Sequence, residues 1–162
     1  MTSSTSARTQ ARERRRAALH VAGHFVIGEH LELQVCGAVI WRVRDLGRDE
    51  KIWHGQVFYD PCELDRLTRA ERAMFGVAGT VAEEVWLQRW TGSDRLEWDD
   101  LLSYPDSLSF SDWRLTGCDP GDPDAFLQAI VEQVARLFDG SLHDVLSGAA
   151  RTLIRNSQPK MP

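Results

Sequence analysis

Lysine is nearly missing from this chain of 162 residues: Lys51 and Lys160 stand alone, and every other basic side chain is arginine. We read that bias as genome composition. The net charge of −5 excludes a general nucleic-acid binder. Cysteine is scarce as well. Cys36, Cys62 and Cys118 are odd in number and show no C-x-x-C spacing, which excludes a disulfide frame and a thiolate zinc site. They point to a reducing compartment and buried thiols. No apolar run is long enough to cross a bilayer, and the N-terminus lacks the apolar core of a signal peptide. The expectation is a cytoplasmic protein with no membrane contact. No G-x-x-x-x-G-K-[ST] occurs, so the chain carries no P-loop motor. There is no internal repeat.

What is present fits one domain over 11–157, between a disordered tail at 1–10 and a short tail at 158–162. A helix is expected from Ala11 to Leu31, its basic run Arg12 to Arg16 solvating its start. Residues 34–43 are rich in β-branched and aromatic side chains and read as a strand. A polar turn follows at 44–51. The stretch from Trp53 to Asp60 reads as a second strand, antiparallel to the first and ending before Pro61. Thr68 and Glu71 have capping-box spacing, which predicts a helix reaching about Trp90. Its inner face would carry Met74, Phe75, Val77, Ala78, Val81, Ala82, Val85 and Trp86. Gly76 and Gly79 weaken that helix by roughly 1 kcal/mol each relative to Ala, and close approach to another helix, at Gly23, is the expected compensation. Short helices are expected near Leu96–Leu102 and Ser109–Leu115. Asp122-Pro123 reads as N-cap and first helical position, Gly140 as the C′ residue, and Ser141 with Asp144 as the start of a last helix. The order is that of an α+β domain, mainly α.

The chemistry begins at residues 17–28, which contain no charged side chain apart from the imidazoles His20 and His24. Four residues is about 400° of helix rotation, so both rings project from one side, one turn apart. A zinc peptidase presents two ligands to one metal in this way, from H-E-x-x-H. Here Val21 stands at the second position, so the metal-binding half is intact and the general base is missing. Two neutral, hydrogen-bonded core histidines are the alternative.

Three further segments accompany the histidines: the hairpin, V-A-G-T-V-A-E-E at 77–84, and L-S-F-S-D-W at 108–113. In this order the chain resembles, over about residues 12–157, the zinc metallopeptidase domain of the FtsH family and its stand-alone relatives. The sharpest element is A-L-H-V-A-G-H, which keeps Ala22 and Gly23 beside both histidines. The resemblance implies a zinc-peptidase-like helical domain with a short hairpin after the first long helix. It also implies Zn²⁺ held by His20, His24 and Asp112. Asp94, Asp99 and Asp100 compete for the third place, and Ser109 with Asp112 also has capping-box spacing. His30, six residues beyond His24, copies a metzincin spacing, but it faces about 80° away from His20 unless the helix breaks at Gly28.

The departures set the expected activity. In the family, a Glu at the position of Val21 takes a proton from the attacking water and passes it to the leaving amine. Valine does neither, which removes about 10²–10⁴-fold in rate. The expectation is a zinc-binding pseudo-peptidase that acts in binding or regulation, with a peptide or protein segment in the cleft against the hairpin edge. The alternatives are an active zinc hydrolase using Glu29, Glu83 or Glu84 as base, and a structural or interaction protein without metal.

Overall fold

The uncharged stretch 17–28 is the middle of a longer helix. In the computed structural model, which describes residues 3–43, 53–91 and 98–157, helix α1 runs Ser3–His30. It therefore starts well before Ala11, inside the segment expected to be a disordered tail. The physical reason is propagation: once 17–28 is packed, each further residue adds a hydrogen bond without a new nucleus, and Ala7, Arg8 and Gln10 are good helix formers. The basic run lies along the helix rather than at its start. Arg16 reaches Glu83 at 2.9 Å, and Arg14 donates to the Ile154 carbonyl and the Ser157 hydroxyl. Helix α1 does not break at Gly28. It ends in a Schellman arrangement, with Leu33 N–H on the Gly28 carbonyl at 2.9 Å and Glu32 N–H on Glu29 at 3.0 Å. Glu32 occupies the left-handed position, φ 57°.

The two expected strands form an antiparallel hairpin, β1 (Val35–Arg42) and β2 (Trp53–Tyr59), paired from Val35–Tyr59 to Arg42–Trp53 with a register shift at Cys36, between Val35 and Gly37. Ile40 points into the core and is fully buried. Among the described residues the far edge of β2 has no strand neighbour. A one-turn helix, α2 (Pro61–Leu64), follows, capped by Asp60, whose carboxylate accepts from Cys62 N–H at 2.9 Å. The Asp-Pro signature thus operates at Asp60-Pro61. At Asp122-Pro123 it does not: helix α6 (Ala125–Asp139) starts two residues later, capped by Asp124, while Asp122 closes a turn on Asp119.

Helix α3 (Arg69–Thr91) begins with the expected capping box. Thr68 N–H donates to Glu71 at 2.8 Å and Glu71 N–H to the Thr68 hydroxyl at 3.3 Å. It forms the centre of the molecule. Met74, Phe75, Val77, Ala78, Val81, Ala82 and Val85 are buried, and Trp86 is partly so. Helix α1 lies on one side of it, with Gly23 against the Ala78 carbonyl and Ala82. Helices α4 (Trp98–Leu102), α5 (Phe110–Thr116), α6 and α7 (His143–Arg155) complete the domain, α5 and α6 covering α3 and α7 returning to α1. Gly140 ends α6 with φ −115°, not in the left-handed region, and α7 starts at His143 without a side-chain cap from Ser141. The short α6–α7 connection is closed by backbone bonds instead, Leu142 N–H to the Leu137 carbonyl at 2.8 Å.

The architecture is α+β, mainly α, with the hairpin directly after the first long helix. The thiols are not buried as expected. Cys36 and Cys62 are exposed and Cys118 is partly so, because they fall on the hairpin's outer face, on the one-turn helix and beyond the end of α5. The 44–51 turn, Asp94, the side chain of Asp99 and the 158–162 tail lie outside the described residues. No described helix is long and apolar enough to cross a membrane.

Candidate metal centre

Three elements bring one cluster together. Helix α1 offers His20 and His24 on its α3-facing side. Helix α3 carries Gly79 directly beneath them: a Cβ there would sit 2.6 Å from His20 Nε2 and 2.6 Å from His24 Nε2. Glycine at 79 therefore makes the room in which the two rings meet. Gly76, one turn earlier, faces α5 rather than α1, and a Cβ there would lie 2.8 Å from the Asp112 carbonyl. So the expected clustering of Gly23, Gly76 and Gly79 holds for α1 only at Gly23 and Gly79. Gly76 instead lets α5 approach and carry Asp112 to the histidines.

Each side chain of the cluster is held from behind. His20 Nδ1 donates to Glu83 Oε1 at 2.8 Å, and Glu83 is held in turn by Arg16. His24 Nδ1 donates to the Phe75 carbonyl at 2.8 Å. Asp112 Oδ2 accepts from the Ser109 hydroxyl at 2.7 Å, and that hydroxyl also accepts from Asp112 N–H at 3.1 Å. The capping role and the ligand role of Asp112 are thus compatible. Capping uses its backbone and one oxygen, leaving Oδ1 turned toward His24 Nε2, 3.8 Å away. Trp113 Nε1–H, bonded to the Pro105 carbonyl at 2.8 Å, fixes the start of α5.

This wiring fixes the protons. A carbonyl only accepts, so His24 carries its hydrogen on Nδ1 and presents a lone pair at Nε2. Burial, then the neighbouring His20, pulls His24 from 6.5 to about 4, against the opposing pull of Asp112, so the ring is neutral at pH 7. Burial pushes Glu83 up, but the hydrogen bond and charge from His20, with Arg16, outweigh it and hold the carboxyl below its usual range. It is ionised and accepts the His20 Nδ1 hydrogen. The two Nε2 atoms then face each other at 3.3 Å. Two opposed lone pairs beside a carboxylate need a positive charge between them, a proton or a metal ion.

The donor set fits a metal. His20, His24 and Asp112 place one ligand atom each within 4.8 Å of one another. Tetrahedral zinc with bonds of about 2.0–2.1 Å sets its ligand atoms about 3.3–3.4 Å apart. The histidine pair already has that spacing, while Asp112 must close by about an ångström. Metal-bound histidines characteristically give their second nitrogen to a carboxylate or a carbonyl, as both do here.

Of the rival ligands, His30 and Asp100 are not part of the cluster. Both are exposed, His30 because the helix continues through Gly28 and carries it to the outer side. Nor are the candidate bases well placed. Glu29 is exposed. Glu83 is behind His20, on the nitrogen away from the cluster. Glu84 has its carboxyl raised by burial and by Glu83, and lies outside the cavity at the cluster. That cavity, about 560 Å³, is lined by the three cluster side chains, Val21, Tyr59, Leu115 and β2 from Gly55 to Tyr59. Asp112 is the one carboxylate among its described lining residues. Val21 is 3% exposed and packs on Gly55, where a Cβ would meet its Cγ2 at 2.2 Å.

The structure brings together the three side chains singled out from the sequence, His20, His24 and Asp112. Sequence reasoning missed what holds them, namely Glu83 as the partner of His20, the Phe75 carbonyl, and Gly79 as the space for the rings. The four-residue offset of Gly79 and Glu83, one face of one helix, was the available signal. The chain matches no family model and no curated protein, so the site stands on this geometry and on the residues themselves.

Proposed function

We propose that this chain is an FtsH-peptidase-like domain that binds one Zn²⁺ through His20, His24 and Asp112. We propose further that it holds an extended peptide or protein segment in the adjoining cavity, with hydrolysis at or near background. The observation that carries the reading is the engagement of both Nδ1 atoms by acceptors, which leaves both Nε2 atoms directed at one point, 3.3 Å apart. Zinc supplies Lewis acidity there and lowers the pKa of water. The protein's part is to hold His20 through Glu83, to hold His24 through Phe75, and to admit a chain along β2, whose open edge offers backbone hydrogen bonds. What it lacks is a proton acceptor: Val21 stands where the family has its base, and no other described carboxylate lines the cavity besides Asp112.

Elemental analysis after zinc reconstitution tests the site. One equivalent of zinc is expected, lost in His20→Ala and His24→Ala and weakened in Asp112→Asn; a metal-free wild type refutes it. Peptide hydrolysis tests the activity. Casein should survive the wild type, and Val21→Glu should raise turnover toward the 10²–10⁴-fold that a general base contributes, less the strain of a larger side chain against Gly55. Zinc-dependent proteolysis by the unmodified chain, lost in His20→Ala, would establish the active-hydrolase reading instead.

A further inference from the structure

A second cavity, about 510 Å³, continues from the first, sharing Tyr59, Pro61, Ser111 and Leu115 with it. Its walls carry Arg69, Arg72 and Arg114. Arg69 is bound to Asp124 at 2.8 Å and lies over the Phe126 ring. Arg72 is partly buried and Arg114 exposed, and neither has an ion-pair or hydrogen-bond partner for its side chain among the described residues. Asp65 is the single acidic residue of the described lining. The placement also runs against local electrostatics. Arg69 and Arg72 occupy the first turn of α3, the positive end of a helix, where acidic side chains are favoured. Arg114, in the last turn of α5, is locally favourable. Glu71 shares that turn and Asp124 neutralises Arg69, so Arg72 and Arg114 are the cations this concave site leaves for an anion.

We propose that this cavity is a carboxylate subsite. Arg72 and Arg114 receive a carboxylate of the segment held in the metal cleft, either its C-terminus or an acidic side chain. Arginine's planar fork suits a carboxylate, and the fixed backbone around Tyr59 and Leu115 joins the two cavities into one path. The inference rests on the peptide-binding reading above and names a specificity for it.

Fluorescence anisotropy on the zinc-reconstituted full chain tests it. The probes are labelled hexapeptide pools of Ala, Leu, Phe and Ser, with the C-terminus free, amidated, or amidated with one internal Glu. The free-acid or the Glu pool should bind about five- to tenfold tighter than the plain amide, and which of them does identifies the source of the carboxylate. Arg72→Ala and Arg114→Ala should each erase the preference and leave amide binding unchanged, whereas Arg155→Ala on α7 should alter neither. Equal binding of all three pools overturns the subsite and leaves the peptide cleft standing. Binding of none overturns the peptide reading and this specificity with it. A preference that survives both arginine variants removes the arginines from the role.

Discussion

Gly79→Ala separates the metal site from the fold. The added methyl would lie 2.6 Å from the Nε2 atoms of both histidines. Carbon contacts of this kind settle at about 3.5–4.0 Å, so the rings must retreat by about 1 Å. What gives way is the far end of two side chains, not backbone. Overpacking costs about 1–3 kcal/mol, and removing a glycine from a helix interior returns up to about 1 kcal/mol. The net loss of unfolding free energy should therefore be no more than about 3 kcal/mol. Zinc bonds tolerate only about 0.2 Å, so the same displacement should weaken zinc binding by more than about 100-fold, beyond what loss of an outer hydrogen bond does. Urea unfolding reads the first quantity and competition with a chromogenic chelator the second. Gly148→Ala is the control. It lies in the interior of α7 with nothing within 4 Å of an added Cβ, and it should gain up to about 1 kcal/mol with zinc binding unchanged. A folded Gly79→Ala protein that binds zinc as tightly as wild type would refute the proposal that the rings meet over residue 79 to share an ion.

Glu83→Ala should lower zinc affinity by about 10–100-fold, measured by the same competition, because His20 loses the acceptor that orients it. Glu32→Gly should stabilise the protein by about 1 kcal/mol in urea unfolding, since glycine relieves a left-handed φ of 57° at the end of α1. The metal-free protein should lose stability in acid. Above pH 6.5 the His24 ring is neutral in both the folded and unfolded chain. As the pH falls toward 4, the unfolded chain takes up a proton that the folded one refuses, at a cost reaching about 3 kcal/mol. Unfolding curves of metal-free wild type across that range should show the slope, and His24→Asn should flatten it.

Local signals were legible where one stretch of chain settles them. The Thr68–Glu71 box starts α3, the alternating strands pair in a hairpin, and the His20–His24 spacing gives two imidazoles on one face. The errors fall where distant groups decide. Asp124 rather than Asp122 caps α6 and also receives Arg69 of α3, 55 residues earlier. The N-terminal segment is helical as the extension of a stretch that packs on α3. Gly76 and Gly79 looked alike as weak points of one helix, yet one admits α5 and the other the imidazoles, a distinction that appears only when the partners are placed. The same holds for Glu83, whose value lies in its partner 63 residues away.

The tie between Arg14 and the end of α7 spans 140 residues, and that has a consequence for synthesis. At about 5–20 residues per second, roughly 7–28 s separate the emergence of these two ends. Through that interval the side of α1 destined for α7 has no cover, although α3 and α5, which complete the cluster of imidazoles and carboxylate, are finished before α7 begins. The nascent chain can therefore assemble its site before it can close its core. The waiting face of α1 is where a holding chaperone would act, and where premature termination before α7 would leave a site-bearing but aggregation-prone product.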